Sequence, residues 1–251
     1  GLATGTLIAQ YAGFIMAILL YIRYYSKLRK RIIWKEIVQK QAMYRFFQVN
    51  RDIFFRTLCL VIVTMFFTSA GAAQGEVILA VNTLLMQLFT LFSYIMDGFA
   101  YAGEALSGRY IGARNQTGLH STVRHLFYWG FGLSMVFTIL YSVGGKEFLE
   151  LLTNDVSVIK AADSYFYWAL AIPLAGFSAF LWDGVFIGAT ATRQMLYSML
   201  VASASFFGVY YAFHSLLGNH ALWLAFLVYL SLRGIVQTFL GRQIMKKVIV
   251  S

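Results

Sequence analysis

Apolar residues fall in seven blocks, each close to the roughly 20 residues that a helix needs to cross a bilayer. Leu2 to Ile22 is uncharged, and Arg23-Tyr-Tyr-Ser-Lys-Leu-Arg-Lys-Arg31 ends it with the aromatic and basic residues expected at a membrane–water interface. Residues 26–51 form the longest polar connection. Within it Ile33, Trp34, Ile37 and Val38 recur at helical spacing among Lys30, Arg31, Lys35 and Lys40, which predicts an amphipathic helix on anionic lipid. Asn50-Arg51-Asp52 is placed to cap the helix that follows. Further spans are predicted over Ile53–Ala73, from Val77 to near Gly112, and over Leu126–Val143, Ser164–Gly188, Gln194–Phe213 and Ala221–Gly241. Gly71–Gly75 and Gly112–Gly118 read as short turns, and Gly144–Asp163 as a longer loop.

The pattern predicts an all-α membrane protein, a bundle of about seven transmembrane helices, and composition agrees. Of 251 residues 60% are hydrophobic and 12% charged, with a mean hydropathy of +0.69; soluble domains average about 25% charged. A net charge of +10 would suit nucleic acid, but ten of the twenty Lys and Arg lie between Arg23 and Arg56. Such a local cluster sets topology instead. With residues 23–56 in the cytoplasm, alternation also places Arg109, Arg114, Arg124, Arg193, Arg242, Lys246 and Lys247 inside. Only Lys146 and Lys160 fall outside, and the C-terminus is cytoplasmic. Cys59, the sole cysteine, reads as a small buried hydrophobe. The chain starts at Gly1 inside an apolar segment, which reads as the C-terminal part of a longer protein.

Charge inside spans is the main functional signal. The twenty residues Val77–Met96 carry none, and then Asp97, Glu104 and Arg109 follow without a break. An intramembrane acid costs roughly 2.5–3.5 kcal/mol at the bilayer centre, so it faces water or a partner helix and is a functional candidate. Asp97 and Glu104 share a face but lie about 10 Å apart along the axis, too far to share one proton. The structural alternatives are a plain hydrogen bond for Asp97 and headgroup exposure for Glu104. Counted from the outer side, Asp97 lies in the inner part of the bilayer and Glu104 near the interface, which ranks Asp97 first. Asp183 reaches a similar depth in the fifth span, and Arg233 stands within the seventh. Asn82, Gln87 and Gln10 add amides, whose commonest role is bonding between helices. Pro173, the only proline, removes a helical hydrogen bond and is a hinge candidate. Asp97-Gly98 has an echo in Asp183-Gly184, and Gly108-Arg-Tyr-Ile-Gly-Ala113 in Gly184-Val-Phe-Ile-Gly-Ala189. The Gly-x-x-x-Gly spacing permits close helix approach.

Enzymatic motifs are absent. There is no phosphate-binding Gly-x-x-x-x-Gly-Lys, no His-Glu-x-x-His and no Gly-x-Ser-x-Gly. The four histidines all lie near span ends. A helical bundle with a few intramembrane charges is the profile of a secondary transporter.

Asn50-Arg-Asp-Ile-Phe-Phe-Arg-Thr57, Asp97-Gly-Phe-Ala-Tyr-Ala-Gly-Glu-Ala-Leu-Ser-Gly-Arg109, Asp183-Gly-Val-Phe-Ile-Gly-Ala-Thr-Ala-Thr-Arg193 and Gly218-Asn-His-Ala-Leu-Trp-Leu-Ala-Phe226 with Arg233-Gly234 resemble the DinF-like branch of the multidrug and toxic compound extrusion (MATE) transporters. The resemblance covers nearly the whole chain. It implies that residues 1–25 match helix 6, that 26–51 form a basic cytoplasmic linker, and that 52–251 form the six-helix C-terminal lobe. The N-terminal lobe would then be a missing partner. Also implied is multidrug efflux across the bacterial inner membrane, the antiport of cationic or amphiphilic drug-like compounds against H⁺, the leading coupling ion, or Na⁺. Besides membrane lipid, no cofactor and no nucleic acid is called for. Na⁺-coupled relatives carry an acid on helix 7 and an Asp on helix 10; Asp183 matches the second, while Ile53–Ala73 holds no acid. The cavity candidates are Asp97, Asp183, Asn82, Gln87, Arg233 and Glu104. The rival readings are a flippase of lipid-linked precursors, which would want a larger cationic cavity, and a non-transporting membrane scaffold.

Overall fold

A computed structural model describes residues 2–25 and 39–247, so the Ile33–Val38 part of the expected amphipathic helix lies outside the described residues. Regular structure among the described residues is α-helical throughout: α1 Leu2–Tyr25, α2 Lys40–Ala72, α3 Glu76–Gly112, α4 Gln116–Leu152, α5 Val156–Asp163, α6 Phe166–Gly188, α7 Thr192–Leu217 and α8 Asn219–Lys247. All but α5 are long and apolar enough to cross a membrane, which makes the seven predicted spans. The chain divides at Phe46/Phe47 into two compact units, and the second carries everything that follows.

Two helices run furthest past their apolar blocks. The helix of the second span begins at Lys40, not near Ile53, because residues 40–70 contain neither Gly nor Pro to stop a helix. Asn50–Asp52 therefore lies inside α2, ten residues or more from its N-terminus. The fourth span continues through Gly144-Gly145 to Leu152, where a loop was expected. Gly145 is a packing glycine, since a Cβ there would run into the ring of Phe166. The loop shrinks to Thr153–Asp155. Asp155 caps α5 by accepting from the Ser157 and Val158 amides at 2.8 and 3.4 Å. The Ser157 hydroxyl and then its amide hold the Asp155 carboxyl below the usual carboxylate range.

Several seams hold the helices of the second unit together. Between α3 and α6 the contact is made of small residues: a Cβ on Gly184 would overlap the Ala100 carbonyl, and one on Gly188 would overlap Ser107 Oγ and the Glu104 carbonyl. Between α6 and α8, Trp182 Nε1 donates to Thr238 Oγ1 at 2.9 Å, and its ring fills the space beside Gly241. On α2 one stripe turns inward, through Val63 and Phe67, and Phe67 stacks edge-on against Trp223 at 5.0 Å. Phe66 meets Phe206, Phe207 and Tyr210 of α7.

The sequence echo resolves into one true repeat. α3 ends Gly112-Ala113-Arg114-Asn115, and α6 ends Gly188-Ala189-Thr190-Ala191. In the first turn the amides of residues 113, 114 and 115 donate to the carbonyls of 109, 111 and 110. In the second, 189, 190 and 191 donate to 185, 187 and 186. Arg114 and Thr190 both take left-handed backbone, φ 53° and 51°. This register pairs Gly108 with Gly184, hence Asp97 with Pro173, so the two Asp-Gly pairs are not equivalents. A β-branched residue in left-handed backbone is strained by about 1–2 kcal/mol. Because Thr190 is exposed, Thr190→Gly is expected to stabilise by about 1 kcal/mol and to raise the melting temperature by about 2–4 °C. A detergent-phase thermal melt reads it.

Candidate functional site

Asp183 sits five residues before the end of α6, and three side chains from two other helices converge on it. Its Oδ2 accepts from Nη2 of both Arg56 on α2 and Arg233 on α8. Its Oδ1 accepts from Gln237 Nε2 at 2.6 Å. Arg233 and Gln237 are one helical turn apart and share a face. Arg233 is 3% exposed, Gln237 0% and Asp183 7%, so the cluster is held almost wholly inside the protein. Phe180, one turn before Asp183, lays its ring 5.7 Å from the Arg233 guanidinium carbon. The Nε atoms of both arginines and Gln237 Oε1 are buried without a hydrogen-bond partner among the described residues.

One turn before Arg56 on the same face of α2, Asp52 is 2% exposed and meets Arg51 at 3.1 Å and Thr192 Oγ1 at 3.4 Å. Thr192 is the first residue of α7, so α2 is tied to α6 through Arg56 and to α7 through Asp52.

Two guanidiniums on one carboxylate leave a surplus positive charge, and Asp97 supplies its counterpart. It is half-buried on α3 and feels the charges of Asp183, Arg233 and Arg56. Among the described residues its carboxylate makes no hydrogen bond and no ion pair. The four groups are thus neutral together, but only three are tied to one another.

Of the residues singled out from sequence, Asp97, Asp183 and Arg233 come together. Asn82 lies 15 residues back along α3 from Asp97, about 22 Å at 1.5 Å each. There it exchanges hydrogen bonds with Asn219 at 2.8 and 2.9 Å and accepts from Trp223 Nε1 at 2.9 Å, bracing α3 to α8. Gln87 is exposed on α3, and Glu104 is half-buried two turns beyond Asp97. Pro173 is buried in an unbroken α6; the carbonyl of Leu170, in the turn before it, accepts from Thr138 Oγ1 at 3.4 Å. Sequence reasoning missed Arg56, which read as a topology anchor, and Gln237. A usable signal existed. Asp97 and Asp183 with Arg233 alone do not sum to zero charge, and Arg56 lies in the Asn50–Thr57 motif.

Comparison with known proteins agrees with this architecture. The family model described as MatE matches residues 53–213. DNA damage-inducible protein F of Escherichia coli (strain K12) is 38% identical over 238 residues, covering 94% of this chain and 51% of that protein. Protein DETOXIFICATION 45, chloroplastic, of Arabidopsis thaliana is 23% identical over 238 residues, 93% of this chain and 40% of that protein. The chain thus spans about half the length, or less, of these relatives. Among solved structures, a MATE protein in complex with MaD5 superposes with a TM-score of 0.71 at 16% identity, over 95% of this chain and 54% of that one. That likeness shows the fold.

Proposed function

The chain belongs to the MatE family, on its DinF-like branch, and from that premise we propose that it is the C-terminal lobe, with one preceding helix, of a secondary active exporter. MatE proteins are not enzymes. The work proposed here is the antiport of cationic or amphiphilic compounds across the bacterial inner membrane, driven by entry of H⁺, with the C-terminus cytoplasmic. The missing N-terminal lobe completes the transport cavity.

One observation carries the reading. In a neutral group of two arginines and two aspartates, Asp97 alone keeps its oxygens free for a cation from outside the protein. A proton or a cationic substrate arriving there cancels its charge and leaves Arg56 and Arg233 in excess over Asp183. The repulsion between the two guanidiniums is then offset by one carboxylate instead of two, which favours a packing that separates α2 from α8. A ligand shifts a two-state equilibrium only through such a difference between states. Asp183 has a structural part in this scheme, since its acceptors are already engaged. A flippase is less well supported, because Arg56 and Arg233, the cations such a cavity would use at this depth, are both spent on Asp183.

Efflux of a fluorescent organic cation from cells carrying the full-length transporter tests the proposal. Asp97→Asn is expected to reduce pH-driven efflux at least about tenfold, the effect of losing about 1.4 kcal/mol of coupling, while Asp97→Glu keeps part of it. Wild-type efflux from Asp97→Asn, at equal protein in the membrane, removes Asp97 from the mechanism.

A further inference from the structure

The end of the α3–α4 hairpin holds positive charge with no counter-ion among the described residues. Between Glu104 and Glu147 the sequence has no acidic residue, yet Arg109, Arg114 and Arg124 stand around the turn. All three are exposed, and among the described residues none makes an ion pair or a side-chain hydrogen bond. Two adjoining hollows open beside them. The first, about 530 Å³, is lined by Gln116, Thr117, His120, Ser121 and Arg124. The second, about 500 Å³, shares Thr117 and Ser121 with it and continues along α3 and α4 past Leu106 and Phe99 to Trp129.

Polarity falls along this groove. At the turn it offers a guanidinium, two hydroxyls and an imidazole; further along, Thr122, His125 and the Tyr110 phenol are its polar groups and the rest of the wall is aliphatic and aromatic. From Ser121, the last hydroxyl of the polar end, to Trp129 is 8 residues, about 12 Å along α4, approaching half of the roughly 30 Å hydrocarbon core. A soluble anion would use the polar hollow and leave the apolar one empty. A molecule with a phosphate head and a chain of half-bilayer length fills both.

We propose that this groove is a binding site for an anionic phospholipid of the surrounding bilayer. Its phosphodiester meets Arg124, Thr117 and Ser121, and one acyl chain lies along Leu106, Phe99 and Trp129. The site is separate from the Asp97–Asp183 cluster, to which α4 contributes no residue.

The test uses the full-length transporter in nanodiscs of phosphatidylcholine with a minor fraction of phosphatidylglycerol, and native mass spectrometry to count retained lipid. The wild type is expected to retain phosphatidylglycerol above its share of the mixture. Arg124→Gln should cut that enrichment about fivefold, the factor that one basic residue contributes beside an anionic surface. Arg193→Gln, an exposed arginine outside the groove, should leave it unchanged. Ser121→Phe fills the shared wall without altering charge and should also reduce retention. Wild-type retention in both Arg124→Gln and Ser121→Phe overturns the site. So does an equal loss in Arg193→Gln, which would mean a diffuse basic surface. Displacement of the lipid by soluble glycerol phosphate would show a free-phosphate site and overturn the lipid assignment.

Discussion

Asp183→Asn is expected to be the most damaging single substitution in the polar core, destabilising the bundle by about 3–5 kcal/mol. Both Arg56 and Arg233 pair with this carboxylate. Without it Arg233, 3% exposed and ringed by Phe180, Tyr229 and Gln237, keeps a charge that water cannot reach. Arg56 is better placed, because about a fifth of its side chain is exposed, and Asp97 lies within its field. The two arginines therefore differ in what they cost when orphaned. It follows that the double variant Asp183→Asn/Arg233→Met should be more stable than Asp183→Asn alone, by about 2 kcal/mol, as expected for residues in one ion-pair network. Equilibrium unfolding in mixed detergent micelles measures the cycle. A double variant no better than the single would mean that Asp183 acts outside the ion pair. Transport should fail in both variants, since each upsets the charge balance on which the proposed switch depends.

The fold was legible because the bilayer imposes one length and one polarity on every span. Seven apolar blocks gave seven helices, and their errors fell at the ends, where water relaxes that constraint. Helices α2 and α4 extend past the blocks because helix propensity does not fall when hydropathy does. Gly144-Gly145 misled for a related reason: a glycine reads as a breaker, but Gly145 leaves room for Phe166. The polar core was legible in part. Asp97, Asp183 and Arg233 were visible as charges where none should be. Their partner Arg56 was not, because a basic residue near a span end satisfies the topology rule and asks for no further explanation. The Asp-Gly echo suggested equivalence between Asp97 and Asp183, and only the backbone pattern of the two turns showed that the register runs otherwise. Among the described residues, one aspartate is tied to protein by three side chains and the other by none.

The second large effect is steric and concerns the glycine that follows Asp183. Gly184→Ala is expected to destabilise the protein by about 2–3 kcal/mol, at the upper end of overpacking costs, and Gly184→Leu to prevent the folded protein from accumulating. An added Cβ would overlap the carbonyl of Ala100 and crowd its Cα. Backbone cannot rotate aside as a side chain can, so α3 and α6 would have to part. Their separation would also strip Gly188 from Ser107 and Glu104 and draw Asp97 away from Asp183, so stability and transport should fall together. The other Asp-Gly pair offers the comparison. A Cβ on Gly98 meets nothing within 4 Å, and alanine is favoured over glycine in a helix by about 1 kcal/mol. Gly98→Ala should therefore be neutral or stabilising, although it adjoins the free aspartate and Gly184 the bound one. Fluorescence-detected gel filtration after graded heating separates the two. Equal melting of Gly184→Ala and the wild type would show that α3 and α6 are not pressed together by their glycines, and the account of that seam would fail.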